Sequence, residues 1–169
     1  MENVGGPLPA PGTPAASRVE TAQLVLPGLT NVHGTIFGGT LMQWIDIAAA
    51  ISASRHAGRP TVTASMDRLH FLRPVRVGAV VIIQAQVNYV ARTSLEVGVR
   101  VFAEDQRTRQ RVQGTRAYLT FVALDDEGHP TPVPPLLLET DDDRRRHRDA
   151  EYRRQVRLEE RRAIGSGHG

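Results

Sequence analysis

One stretch of sequence, NVHGTIFGGTLMQWID at residues 31–46, contains the observations that decide both the fold and the candidate site. Its first half is a glycine-containing loop, and its second half opens an apolar segment that extends over residues 39–56. Apolar residues recur there at three- and four-residue spacing, which is typical of an α-helix. Apolar residues on the remaining faces predict that this helix is buried almost all round. The residues that show the helical spacing are Leu41, Trp44, Ile45, Ala48 and Ile51.

The rest of the patterned region changes to a period of two, which is typical of β-strands. Strands are predicted over residues 19–26 before the helix and over residues 61–71 after it, and further alternations follow at 81–89, 95–101 and 116–123. The connections between these alternations are short, which favours antiparallel neighbours. One helix cannot cover both faces of a parallel sheet, so we predict an α+β fold in which a curved antiparallel sheet wraps around a long central helix. The apolar side of the first long alternation is predicted to comprise Val81, Ile83, Ala85, Val87 and Tyr89.

Composition divides the chain into three parts. Residues 1–17 contain Pro, Gly and Ala without periodicity, which predicts a disordered N-terminal extension. Residues 18–138 carry the patterned domain, and residues 139–169 form a charged tail that we predict to be helical with a flexible end. Acidic residues at 141–143 precede basic ones at 144–146, the order that suits a helix dipole.

The overall composition excludes several kinds of protein. The 169 residues contain no cysteine, so neither a disulfide framework nor a thiolate nucleophile is available. The formal net charge of +3 is too small to indicate nucleic-acid binding. No segment approaches the roughly 18 apolar residues of a membrane span. The first residues also lack the pattern of a secretory signal. We therefore expect a cytoplasmic protein with neither a nucleic-acid nor a membrane partner.

Three features of the 31–46 stretch are candidates for chemistry. Asp46 lies about two turns inside the apolar helix, where a carboxylate is costly unless it is paired, hydrogen-bonded or protonated. It is either a catalytic group or a structural one bonded to a nearby amide or Arg. Gly38 and Gly39 stand where the helix begins, so the first-turn amides could polarise a carbonyl oxygen or the glycines could simply allow a tight turn. His33 is either a general base or a surface residue. The sequence shows no pattern of metal ligands and no phosphate-binding loop.

Four motifs in one order carry a family resemblance: residues 31–46, VTASMD at 62–67, FLRPVRVG at 71–78 and RTSLEV at 92–97. Over about residues 18–138 the chain resembles the hot-dog-fold acyl-CoA hydrolases of the bacterial YciA type, related to brain acyl-CoA hydrolase. The resemblance implies a hot-dog fold and hydrolysis of an acyl-CoA thioester to a carboxylate and CoA. It also implies that no metal or cofactor is needed, since CoA is part of the substrate.

The resemblance assigns roles to individual residues. Asp46 is expected to be the general base or the nucleophile, and Asn31 to orient the water or the substrate. The amides around Gly38 and Gly39 would polarise the thioester carbonyl, and Thr63 would place a hydroxyl near the attacking water. The residues that the resemblance places against CoA are Arg73, Arg92, Thr93 and Ser94.

The resemblance also implies a homodimer whose active sites are shared between chains, with dimers assembling into a hexamer. Two positions depart from many relatives, since His33 stands where Asn is common and Ala91 where Gly is common. The second could alter the turn near CoA. Two alternatives stay open, a non-enzymatic acyl-CoA sensor and an enoyl-CoA hydratase that uses His33 as its base. The preferred acyl chain is not predicted.

Overall fold

The computed structural model describes residues 10–67, 69–70 and 73–165. Short 3₁₀ turns at Ala15–Ser17 and Pro27–Leu29 flank the first strand. The elements, in chain order, are β1 (Val19–Leu24), α1 (Gly38–Ala57), β2 (Thr61–Met66), β3 (Val80–Val90), β4 (Ser94–Glu104), β5 (Arg111–Ala123) and α2 (Asp141–Gly165).

The five strands form one antiparallel sheet in the order β1-β3-β4-β5-β2, and α1 packs against its inner face. The predicted fold class is confirmed: one long helix lies against a curled antiparallel sheet. Alternate residues of the strands point toward α1 and are buried, each aliphatic side chain contributing about 1.5–3 kcal/mol through its removal from water. The largest fully buried side chains of this core include Ile45, Ile83, Leu95, Leu119 and Phe121. In this order β1 and β2 are the edge strands.

Helix α1 is one residue longer at each end than the predicted 39–56 segment. It ends at Ala57 because Gly58 takes the left-handed conformation (φ 63°), which glycine adopts without steric cost. The prediction of burial almost all round is wrong for one face. Met42, Ile47 and Ile51 are each at least 40% exposed, because the sheet covers only one side of the helix within the chain.

Strand β3 contains a bulge that reverses the facing of its last residues. Val87 pairs with Val97, but the next pair is Tyr89 with Glu96, so Asn88 is an extra residue on one strand. Tyr89 therefore lies on the outer face of the sheet, away from α1. The prediction that Tyr89 shares a face with residues 81–87 is wrong, because a single inserted residue changes the parity of a strand.

The structure departs from the predicted disorder over residues 10–17. The Gly12 amide donates to the Pro135 carbonyl at 3.2 Å, and the Leu137 amide donates to Gly12 at 2.9 Å. Ser17 is buried, and its hydroxyl accepts a hydrogen bond from the Val87 amide at 2.9 Å. Partners that are distant in the sequence order this segment, and composition alone does not reveal them. Residues 1–9 of the same prediction lie outside the described residues.

Helix α2 packs on the outer face of the sheet. It begins with a capping box, in which the Asp143 amide donates to Thr140 Oγ1 at 3.1 Å and the Thr140 amide donates to Asp143 Oδ2 at 3.0 Å. Farther along, Ala150 is fully buried, and the His147 ring lies 4.9 Å from the Tyr89 ring. The charged tail is thus a helix that is docked on the domain. Of its predicted flexible end, residues 165–169, Gly165 is the last residue of α2, and residues 166–169 lie outside the described residues.

Candidate active site

Two of the predicted site residues meet where α1 crosses β2. Thr63 pairs with Phe121 of β5, so its side chain shares the inner face and points toward α1. Thr63 Oγ1 donates a hydrogen bond to Asp46 Oδ1 at 2.7 Å. A second contact, 3.1 Å between the hydroxyls of Ser54 and Thr61, joins the same two elements about two turns farther along α1. The fold therefore holds the Asp46 carboxylate by one oxygen.

The environment of Asp46 differs from the one expected of a buried carboxylate. Asp46 is half-buried, its described partner is a hydroxyl rather than an Arg or a backbone amide, and Thr63 itself is exposed. Among the described residues no hydrogen bond reaches Asp46 Oδ2. A carboxylate oriented by one oxygen, with the other open, is suited to taking a proton from a water molecule or to attacking a carbonyl carbon.

Asn31 organises the loop before α1. Its Oδ1 accepts from the backbone amides of His33 at 2.9 Å and Thr35 at 3.3 Å, and its Nδ2 lies 3.0 Å from Thr35 Oγ1. These described hydrogen bonds all stay within residues 31–35, and none of them joins Asn31 to Asp46. His33 is exposed in the same loop.

The predicted carbonyl-polarising amides lie in the first turn of α1. Phe37 precedes the helix without a capping side chain, and a Cβ at Gly39 would meet nothing within 4 Å. The amides at Gly38 and Gly39 have no carbonyl partner inside the helix and lie at the positive end of its dipole. They lie about 12 Å from Asp46 along the helix axis, since eight residues rise about 1.5 Å each. One thioester carbonyl cannot touch both groups of the same chain.

The structure places the residues expected to contact CoA in two separate segments of the chain. Thr93 and Ser94 line a groove of about 810 Å³ between the outer face of the sheet and α2. Arg92 is exposed in the same turn, and its carbonyl accepts from the Val133 amide at 3.0 Å. Arg73 is exposed in a different segment, after β2. The sequence reasoning missed the α2 side of this groove, which is lined by Tyr152, Arg153, Arg154, Arg157 and Arg161.

The described part of the chain holds no group of three or more His, Cys, Asp or Glu side chains that could bind a metal ion. Within the same residues, neither helix combines the length and the apolar character that crossing a membrane requires.

Comparison with known proteins places these features in a family. Residues 33–110 match the family described as Thioesterase superfamily. An uncharacterized acyl-CoA thioester hydrolase of Bacillus subtilis, YkhA, is 44% identical over 137 residues, which are 81% of this chain and 80% of that protein. The chain spans less of the mammalian relatives, 24% of mouse acyl-coenzyme A thioesterase 11 and 39% of the rat cytosolic acyl coenzyme A thioester hydrolase.

Solved structures agree over the whole domain. An acyl-CoA hydrolase of Staphylococcus aureus, in complex with butyryl coenzyme A, coenzyme A and coenzyme A disulfide, is 38% identical with a TM-score of 0.82 and covers 95% of this chain and 100% of that chain. An apo-hexameric acyl-CoA thioesterase is 37% identical with a TM-score of 0.85 and covers 89% and 97% of the two chains. Structures of the S. aureus enzyme include variants in which an aspartate, an asparagine or a threonine is replaced by alanine. The chain described here belongs to the thioesterase superfamily and has the hot-dog fold of its acyl-CoA hydrolases.

Proposed function

We propose that this protein hydrolyses the thioester of acyl-CoA to a free carboxylate and CoA. Asp46 acts as the general base or the nucleophile, and Thr63 orients it. Asn31 positions water or substrate, and the amides at Gly38 and Gly39 polarise the carbonyl. CoA is held as part of the substrate by Arg92, Thr93 and Ser94, with Arg73 as a further phosphate contact. No metal or cofactor takes part in this chemistry.

The observation that carries the proposal is the 2.7 Å hydrogen bond from Thr63 Oγ1 to Asp46 Oδ1. The separation of these residues along the chain supports the same assignment. In the S. aureus enzyme the aspartate replaced by alanine lies 15 residues after the replaced asparagine and 17 before the replaced threonine. Asp46 lies at those two distances from Asn31 and Thr63.

The reaction can be written with these groups alone. In the general-base route, Asp46 takes a proton from water as the water oxygen bonds to the thioester carbon. The negative charge that forms on the carbonyl oxygen is stabilised by the amides of the helix start. When the intermediate collapses, the carbon–sulfur bond breaks and the proton passes from Asp46 to the CoA sulfur. In the nucleophilic route, Asp46 itself attacks the thioester carbon, the carbon–sulfur bond breaks and CoA leaves as the thiolate, which takes a proton from solvent. Water then hydrolyses the mixed anhydride, which releases the carboxylate product and restores the Asp46 carboxylate.

The site is completed by a second copy of the chain. Asp46 and the amides at Gly38 lie about 12 Å apart in one chain, whereas each must approach the same carbonyl group to about 3 Å. The exposed apolar face of α1, with Met42, Ile47 and Ile51, and the open edge of β2 are suitable dimer contacts. We propose a homodimer that assembles further into a hexamer, the state named for one of the similar thioesterases. The compartment we propose is the cytoplasm, since the rat relative is named as cytosolic.

The test is release of free thiol from short, long and aromatic acyl-CoAs by the parent protein and by Asp46→Asn, a variant of the same shape. We expect the parent to release thiol and the variant to lose about 10²-fold or more in kcat/KM. Asp126→Asn, an exposed Asp in a distant turn, serves as the control and should match the parent. Binding of acyl-CoA without thiol release would favour a sensor. Hydration of an enoyl-CoA without thiol release would favour a hydratase.

A further inference from the structure

Strand β2, which carries Thr63, has little support from the sheet. It is an edge strand, so within the chain it pairs only with β5. The pairing is also interrupted next to the site, because the register shifts between Thr63 and Ser65 and leaves Ala64 as an extra residue. Within its own chain, a strand with one neighbour and a bulge beside the site gains from a further contact near the bulge that holds its side chains at a fixed distance from α1.

That contact comes from the other side of the sheet. Asp67 directly follows β2, and its backbone amide donates to the Tyr118 carbonyl at 2.9 Å. Its carboxylate accepts a hydrogen bond from Arg157 of α2 at 2.7 Å, and both side chains are 21% exposed. The end of β2 is therefore attached to α2 as well as to β5.

Arg157 is itself fixed in place by a deeper ion pair. It also donates to Glu96 of β4 at 3.1 Å, and Arg153, one turn earlier on α2, donates to the same carboxylate at 2.7 Å. Glu96 is only 2% exposed, so both of its oxygens depend on these guanidinium groups. The Arg153 guanidinium also lies 3.6 Å from the centre of the Tyr118 ring. The ion pair with Glu96 thus holds Arg157 in the position from which it donates to Asp67.

We infer that α2 is an external brace for the catalytic strand, and that Asp67 and Arg157 are positioning residues that keep Thr63 within hydrogen-bond distance of Asp46. This inference rests on the proposed function of Asp46 and Thr63. The brace acts across the sheet: the ion pair lies on the outer side, and the hydrogen bond that it protects lies on the inner side four residues earlier in the chain. Small displacements of a catalytic group are enough to reduce turnover.

Asp67→Ala is the sharper variant, because it removes the contact to β2 and leaves Arg153 and Arg157 paired with Glu96. We expect kcat for acyl-CoA to fall about tenfold with KM changed less than about twofold. Arg157→Met should lower kcat similarly, and Arg157→Lys should restore part of it. Arg148→Met is the matched control, since Arg148 lies on the same helix, is exposed, does not line the groove and has no ion pair with a described residue; it should match the parent.

Two further measurements separate positioning from general loss of stability. In a Thr63→Val background, Asp67→Ala should reduce kcat little further, because its effect passes through Thr63; independent multiplication of the two effects would overturn the inference. Amide hydrogen exchange should be faster in β2 of Asp67→Ala and unchanged in β4. This second measurement needs no turnover, so it decides the inference even if the parent fails to hydrolyse acyl-CoA. Unchanged exchange in β2 would overturn it.

Discussion

At the scale of single residues, the hydrogen bond between Thr63 and Asp46 fixes the orientation of the carboxylate. The hydroxyl donates to Oδ1 at 2.7 Å, and among the described residues no hydrogen bond reaches Oδ2. A hydrogen bond to a charged group contributes about 1.5–3 kcal/mol. The bond therefore sets the direction from which Asp46 can act.

Substitutions at Thr63 should separate the hydroxyl from the shape of the side chain. We expect Thr63→Val, which keeps the shape, to lower kcat/KM about 10- to 100-fold, since roughly 1.4 kcal/mol corresponds to a factor of ten. Thr63→Ser, which keeps the hydroxyl, should stay within a few fold of the parent. Steady-state kinetics on one acyl-CoA measures both variants. Equal activity of Val and Ser variants would show that the hydroxyl plays no part.

Gly98 is a second residue whose identity follows from a contact. A Cβ built there would lie 2.3 Å from Nδ2 of Asn88, the bulge residue of β3, which is 3% exposed and has little room to move. We expect Gly98→Ala to lower the free energy of unfolding by about 1–3 kcal/mol, as overpacking of an interior does. Urea denaturation measures the change.

The matched control for that prediction is Gly114→Ala in β5, where a Cβ would meet its nearest atom, the Val101 carbonyl oxygen, at an ordinary 3.8 Å. Gly114→Ala should stay close to the parent in stability. The double variant Asn88→Ala, Gly98→Ala should recover part of the loss, because it removes the side chain that the new methyl group meets. If Gly98→Ala and Gly114→Ala behave alike, the Asn88 contact does not explain the glycine.

The sequence singles out residues as site candidates where their chemistry is conspicuous. Asp46 is noticeable because it is a carboxylate inside an apolar helix, and the resemblance adds Asn31 and Thr63. Neither the residue pattern nor the resemblance reveals that Thr63 donates a hydrogen bond to Asp46, because that contact depends on which face of β2 turns toward α1. Neither of them assigns a role to Asp67, whose partner Arg157 lies 90 residues away in the sequence. Contacts across such distances follow from the assembled fold.

At the scale of elements, the C-terminal end of α1 holds both terminal segments of the domain. His56 is 6% exposed, and its Nε2 lies 3.0 Å from the Pro134 carbonyl oxygen, which assigns the ring proton to Nε2. A Cβ on Gly12 would lie 3.0 Å from Nδ1, so the N-terminal segment passes directly over the ring. Burial lowers the pKa of His56 below its usual 6.5, and the bond to Pro134 only partly opposes that change.

The lowered pKa of His56 predicts a pH dependence of stability. The unfolded chain binds a proton near pH 6.5 and the folded chain does so only at lower pH, so stability is fully present above about 6.5 and is lost as pH falls from there through the folded pKa. We expect the parent to lose more unfolding free energy between pH 7.5 and about 5 than His56→Gln, which does not titrate. Parallel pH profiles for the two proteins would contradict a buried neutral His56.

The strands show where pattern reading succeeds and where it fails. Period-two alternation locates β3, β4 and β5 correctly because their inner faces are apolar, and the change of period separates them from α1. The alternation fails at Tyr89, because the bulge at Asn88 changes which face of the sheet the next residue points to. A tyrosine side chain, with an apolar ring and a polar hydroxyl, is compatible with either face. The alternation also cannot show that residues 10–17 are ordered, because their partners lie near residue 135.

At the scale of the whole molecule, the separation along α1 of the groups to which we assign catalytic roles favours an assembly of chains. The Asn31 loop and the Gly38 amides stand at one end of the helix, while Asp46 and Thr63 stand about 12 Å away along the axis. In a symmetric dimer the first set of one chain can face the second set of its partner, and two equivalent sites result. The apolar face of α1 that is exposed in one chain would then be buried.

Sharing of the sites between chains can be tested by mixing two inactive variants, Asp46→Asn and Asn31→Ala. If each site takes Asp46 from one chain and Asn31 from the other, a mixed dimer contains one intact site and one doubly substituted site. Random reassociation makes half of the dimers mixed, so we expect about a quarter of the parental activity to return.

The control mixture, Asp46→Asn with Thr63→Val, should show no more than the average of its components, because Asp46 and Thr63 belong to the same chain. Thiol release after joint unfolding and refolding measures both mixtures, and absence of recovery in the first would place Asn31 and Asp46 in one chain.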